Sequence, residues 1–181
     1  MKTLRELNTL PALSNLELPL ANHLVVVAAP QAGGRLMLEL AARLALHGRL
    51  QVLDGGNQFN AYPVARLIRR YTPELTAALE NIRLARGFTC YQMAALLAEC
   101  PHPQGVTGPI LVLDLLSTFY DENVRLDEAR RLLATCIRHL QRLSRTAPVV
   151  AGARPTHELN PERRPLFEML VAAASQVWEA E

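Results

Sequence analysis

No apolar run in this chain approaches the ~20 residues that a membrane-spanning helix needs; the longest, such as Leu24 to Pro30, fall far short. No membrane partner is therefore expected. The N-terminus has no basic stretch followed by an apolar run, so no signal peptide is expected either. Cysteine is scarce. Cys90, Cys100 and Cys136 are odd in number and lack C-x-x-C spacing, which reads as a reduced, cytoplasmic chain with buried thiols rather than a disulfide scaffold. Net charge is almost nil: 19 basic against 17 acidic side chains leave +2, so any nucleic-acid binding must come from a local patch. The five histidines are scattered at 23, 47, 102, 139 and 157. Neither Cys136-x-x-His139 nor Cys100-x-His102 completes a metal set. No G-x-S-x-G elbow is present, and Ser117 and Thr118 have no base visible in the sequence. Internal repeats and low-complexity segments are absent.

What is present is an alternation. Half of the 181 residues are apolar, enough for one domain with a sizeable core. Residues 1–22 mix leucine with polar residues and prolines and read as an arm lying on the domain 23–181. Leu24 to Ala29 is a continuous apolar run, the pattern of a strand buried on both faces. A glycine loop follows, then a helical pattern over Leu36 to His47 that stops at Gly48. Further strands are expected at Leu50–Leu53, Asn81–Ala85, Ile110–Leu113 and Val149–Ala151, with a last one at Gln176–Glu179 that leaves Trp178 packing on an edge strand. Helices are expected over Tyr62–Arg70, from Thr72-Pro73-Glu74 to about Leu79, from Thr89 to Cys100, over Val124–Arg145 and over Leu166–Ala174. Cys90 and Cys136 fall in helices as small buried hydrophobes. Strands alternating with helices predict an α/β domain of three layers around a mostly parallel sheet.

Ligands in such sheets bind beyond the carboxyl ends of the strands. Three turns lie there: Ala29 to Leu36, Asp54 to Asn60, and Asp114 to Thr118. The first occupies the place of a phosphate-binding loop, G-x-x-x-x-G-K-[ST], but reads Ala-Pro-Gln-Ala-Gly-Gly-Arg-Leu. Gly34 remains, Ala29 replaces the first glycine, Arg35 keeps a positive charge where lysine would stand, and Leu36 removes the hydroxyl that would hold Mg²⁺. Backbone N–H groups at a helix N-terminus make weak anion binding an expectation here.

Read together, five segments resemble the RecA/Rad recombinase-like P-loop NTPases. They are the loop region, Leu53-Asp54-Gly55-Gly56-Asn57-Gln58-Phe59 with Arg66, Asn81 to Met93, Leu111 to Tyr120, and Arg130 to Ala151. The resemblance runs from about His23 to Arg154 and implies a RecA-like fold with a degenerate, non-canonical Walker A loop. It implies nucleotide or anion contacts at Gly33, Gly34, Arg35, Leu36, Asp54, Asp114 and Arg154. Asp114 matches the aspartate that orders Mg²⁺, and Arg154 stands near the residue that senses the γ-phosphate. Gly56 stands where the family has the glutamate that activates water. With the hydroxyl, the lysine and that base missing, ordinary ATP hydrolysis is not expected, and no residue is assigned a catalytic role.

The resemblance further implies a binding or scaffolding subunit in recombination or repair. Its partner would be another RecA-like or repair-related chain or a second copy. ATP with Mg²⁺ is the cofactor of the rival reading, an ATPase that uses Arg35 or is completed by a partner chain. A third reading keeps the cleft for another anionic small molecule. The family's polymerisation plug carries Phe, and residues 1–22 have none. Its DNA-binding loops would be Asp121–Leu126 and Pro155–Pro165, both short, so DNA contact would rest on Arg154, Arg163 and Arg164.

Overall fold

Among the described residues seven strands form one parallel sheet, and the apolar runs of its central strands alternate between two buried faces. The computed structural model describes residues 8–9, 22–100, 108–156 and 160–179. The strands are β1 (Asn8–Thr9), β2 (Leu24–Ala28), β3 (Leu50–Asp54), β4 (Ile82–Arg86), β5 (Ile110–Leu113), β6 (Val149–Ala153) and β7 (Gln176–Glu179). Their order across the sheet is β1-β7-β2-β6-β5-β3-β4, and every pairing is parallel. The helices are α1 (Gly34–Ala45), α2 (Ala61–Ile68), α3 (Leu75–Glu80), α4 (Cys90–Glu99), α5 (Leu126–Ser144) and α6 (Arg164–Ala173).

A strand buried on both faces sends successive side chains to opposite layers. Leu24 and Val26 of β2, with Ile110 and Val112 of β5, join the cluster built by α4, α5 and α6. Val25 and Val27, with Leu111 and Leu113, join the cluster under α1. A third cluster of Ala42, Ala45, Val64, Ile68 and Ala78 packs α1, α2 and α3 together on that same side. The three-layer, mostly parallel α/β architecture follows the alternation read in the sequence.

Side-chain caps fix the starts of α2 and α4. Asn60 caps α2 by accepting from the Tyr62 N–H at 3.0 Å. Thr89 caps α4 by accepting from the Gln92 N–H at 3.2 Å, while the Gln92 side chain accepts from the Phe88 N–H at 2.8 Å. Around α3 the outcome differs from expectation. Thr72 accepts from the Glu74 N–H at 3.1 Å in a turn of its own, and the helix starts only at Leu75. Trp178 also differs. Its strand β7 is flanked by β2 and by the short β1, so the indole lies 5 % exposed under two neighbours rather than at an edge. Apart from Asn8, Thr9 and Asn22, the arm 1–22 lies outside the described residues, as does most of the loop Pro101–Gly108.

The three thiols are buried, and burial raises the pKa of each, that of Cys136 to about 12. They behave as small hydrophobes, in line with the sequence. No helix among the described residues is long and apolar enough to cross a membrane.

One close approach couples the sheet to the loop that follows β2. A Cβ on Gly152 of β6 would stand 2.6 Å from the Ala32 carbonyl oxygen and 3.3 Å from the Met37 side chain. The first contact is backbone and cannot swing aside. Gly152→Ala is therefore expected to destabilise the fold by about 1–3 kcal/mol, read from urea unfolding. A change within ~0.5 kcal/mol, the usual range for an uninvolved site, would mean that the loop does not rest on this strand.

Candidate functional site

The loop between β2 and α1 is a single tight turn. Gln31, Ala32 and Gly33 all take left-handed backbone, with φ of 55°, 53° and 66°. Only the last is glycine, so two residues hold a conformation costing about 1–2 kcal/mol each. Two N–H groups of the turn point inward rather than toward a ligand. Ala32 donates to the Ala29 carbonyl at 3.0 Å, and Gly34 donates to the Gln31 carbonyl. Ala32 is fully buried.

The turn after β3 is organised by Asp54. One carboxylate oxygen accepts from the Gln58 N–H at 2.9 Å; the other accepts from the Phe59 N–H at 2.9 Å and from Arg86 Nε at 3.2 Å. Arg86 also donates to the Phe59 carbonyl at 2.8 Å. Asp54 is thus wholly engaged in shaping its own turn. That turn delivers Gln58 to the loop. The Gln58 amide nitrogen donates to the Gln31 carbonyl at 3.2 Å and to Asp114 Oδ2 at 3.0 Å. A Cβ on Gly34 would meet Gln58 Oε1 at 2.8 Å, so glycine at this position makes room for the amide. Gly56 is constrained in the same way. Its Cβ would lie 2.6 Å from Asp114 Cβ and 2.7 Å from Oδ2, so a glutamate cannot be placed there without moving Asp114.

Asp114 directly follows β5 with φ of 44° and is 2 % exposed. Oδ2 takes the Gln58 amide and lies 3.6 Å from Arg154 Nε, whereas Oδ1 has no hydrogen-bond partner among the described residues. Burial pushes its pKa above the ordinary carboxylate value; Arg154 and the Gln58 hydrogen bond oppose the shift, and Asp54 adds to it. Arg154 also donates to Ser117 Oγ at 3.3 Å, and its carbonyl accepts the Tyr120 hydroxyl at 2.9 Å. Burial and the Asp114 carboxylate both raise the Tyr120 pKa.

Gly34, Asp114 and Arg154 therefore meet at one crevice around Gln58, whose turn Asp54 shapes, whereas Gly33 faces Val27, Ala29 and Met37. Arg35 is exposed on the first turn of α1, and Leu36 packs partly into the core under that helix. The other two arginines lie elsewhere. Arg163 is 4 % exposed and donates to the Phe119 carbonyl at 2.6 Å and to the Val124 carbonyl, fastening the segment before α5. Arg164 pairs with Glu168 at 3.1 Å on the outside of α6. Residues 157–159 of the loop between them and Arg154 lie outside the described residues. The sequence gives no binding role to Gln58 or Ser117. Both lie inside segments that carry the resemblance, Leu53–Phe59 and Leu111–Tyr120, but at positions to which the resemblance assigns no role.

The donor set does not fit Mg²⁺. Asp114 offers one unpartnered oxygen, its other oxygen is held by Gln58 and Arg154, and Leu36 offers none. Among the described residues no three of His, Cys, Asp or Glu gather at one point. The arrangement can neutralise a buried carboxylate internally and hold the loop shut. No protein-family model matches the chain, and no match is found among curated proteins.

A carboxylate whose folded pKa is raised binds more protons folded than unfolded between its ordinary and raised values. Its favourable contribution is complete below the unfolded pKa and is lost as pH rises through the folded one. Asp114→Asn keeps the shape, suits the left-handed backbone and removes that titration. The stability difference, variant minus wild type, is expected to grow in favour of the variant as pH rises from about 4 towards neutrality, read from urea midpoints. A difference independent of pH would show that Asp114 is not strained by its ionisation.

Proposed function

We propose that this chain is a degenerate RecA-like P-loop protein that serves as a binding or scaffolding subunit, in DNA recombination or repair, with little or no ATP hydrolysis. The observation that carries the reading is the Gln58 amide bridging the Gln31 carbonyl and Asp114, against the helix end where a phosphate would lie. A phosphate entering there would have to displace that amide and turn the Gly34 N–H outward. It would also approach a buried carboxylate whose charge Arg154 already compensates. Phosphoryl transfer needs groups placed to stabilise developing charge, and the glutamate position, Gly56, has no space for one. The order of the five resembling segments along a parallel sheet supports the P-loop assignment. The partner in this reading is another protein chain or a second copy, and the role does not require ATP or Mg²⁺.

A second reading, an ATP-binding subunit that uses Arg35, has one observation in its favour: Arg35 is exposed beside the loop and has no ion pair among the described residues. Thermal shift and phosphate release separate the two. A ligand at a hundredfold excess over Kd adds about 2.7 kcal/mol to stability. Wild-type protein is expected to show no saturable shift with millimolar MgATP and no phosphate release above background. A saturable shift abolished by Arg35→Ala, or turnover abolished by Asp114→Ala, would transfer the assignment to the second reading.

A further inference from the structure

Helix α2 buries Val64 and Ile68, packs Leu67 partly against the same cluster and leaves an outer side. On that outer side stand Tyr62, 84 % exposed, and then Arg66, Arg69 and Arg70, all exposed. Positions 62, 66 and 69 follow the i, i+4, i+7 spacing of one helical face, and Arg70 lies beside it. None of the three arginines has an ion pair among the described residues. The sequence from Gly55 to Pro73 contains no acidic residue at all. At the end of the same segment Tyr71, 51 % exposed, receives Arg43 of α1, whose guanidinium lies 5.4 Å from the ring centroid and donates to the hydroxyl at 3.2 Å.

Stability alone does not account for this face. A cation near a helix C-terminus interacts favourably with the dipole, but one suffices, and the effect fades within a turn. Three unpaired arginines instead repel each other. A tyrosine exposed over most of its surface at the first turn, its backbone N–H already satisfied by Asn60, adds nothing to the core. Guanidiniums interleaved with exposed rings match a flexible polyanion whose π-faces are accessible. Duplex bases are sealed inside the stack and leave Tyr62 without a partner. An acidic protein segment would engage the arginines and leave the ring equally idle.

We propose that the outer face of α2 and the turn that ends it bind single-stranded nucleic acid, with Tyr62 stacking on a base and Arg66, Arg69 and Arg70 contacting phosphates. This face is formed by residues outside the crevice, so nucleotide binding there can succeed or fail without altering it.

The test is fluorescence anisotropy with the full chain, an oligothymidylate of about 20 nucleotides and a duplex of equal length, across a salt series. Single strands are expected to bind more tightly than duplex. Three phosphate contacts, each adding about −0.7 to the log–log salt slope on a single strand, give a slope near −2. Arg66→Gln with Arg69→Gln and Arg70→Gln is expected to flatten that slope and weaken binding at low salt. Tyr62→Ala is expected to weaken binding about tenfold with the slope unchanged, and Tyr62→Phe to restore it. Thermal melts check that each variant folds, and the single charge reversal Arg66→Glu replaces the triple variant if that one does not. No binding at low salt, duplex bound as tightly as single strand, an unaltered slope in the arginine variant, or indifference to Tyr62→Ala would each overturn the proposal. Polyglutamate binding as tightly as the oligonucleotide, whether or not Tyr62 is present, would also overturn it and mark an acidic protein as the partner.

Discussion

The Gln58 amide joins a backbone carbonyl and a carboxylate that are far apart in sequence, and the candidate site depends on that bridge. It draws the Gln31 carbonyl from the β2–α1 loop and the Asp114 carboxylate from the end of β5 onto one nitrogen. A hydrogen bond to a charged acceptor contributes about 1.5–3 kcal/mol to stability. That is comparable to the cost of holding a non-glycine residue in left-handed backbone, as Gln31 and Ala32 are held. The bridge and the strained turn therefore support each other: the turn presents the carbonyl, and the amide helps to keep the turn in place.

The space for this arrangement comes from small residues at points of contact. Gly152 lets the Ala32 carbonyl sit on β6, Gly34 admits the Gln58 amide, and Gly56 admits Asp114. In a loop that holds phosphate, glycine lets backbone approach the ligand. Here Gly34 and Gly56 admit the protein's own side chains. A buried aspartate with one oxygen unpartnered among the described residues is costly; Arg154 and Gln58 each reduce that cost, and the raised pKa expresses what is left of it.

The alternation of strands and helices was legible because strands buried on both faces must be continuously apolar. β2, β5 and β6 were therefore readable within one or two residues. Thr89 was equally readable as a local start signal, whereas α1 already ends at Ala45, short of the expected stop at Gly48. Side-chain destinations were not. Asp54, a natural ligand candidate at a strand end, is committed to two backbone N–H groups and Arg86. Arg163 sits next to Arg164 in the chain, yet one is buried on carbonyls and the other is exposed, because the α6 helix begins between them and turns them apart. Gln58 escaped notice since its role arises from distances across the sheet, which no local spacing encodes. The arginines of α2 were visible as residues, but their shared outward face emerged only once Val64 and Ile68 were seen to be buried.

The central claim is that Gln58 and Asp114 hold the crevice closed through a direct interaction. A double-mutant cycle with Gln58→Ala and Asp114→Ala isolates it, since the backbone cost of replacing Asp114 cancels between the two arms. Measured by urea unfolding near neutral pH, a favourable coupling of about 1–2 kcal/mol is expected. Additive effects, with coupling within ~0.3 kcal/mol of zero, would contradict it.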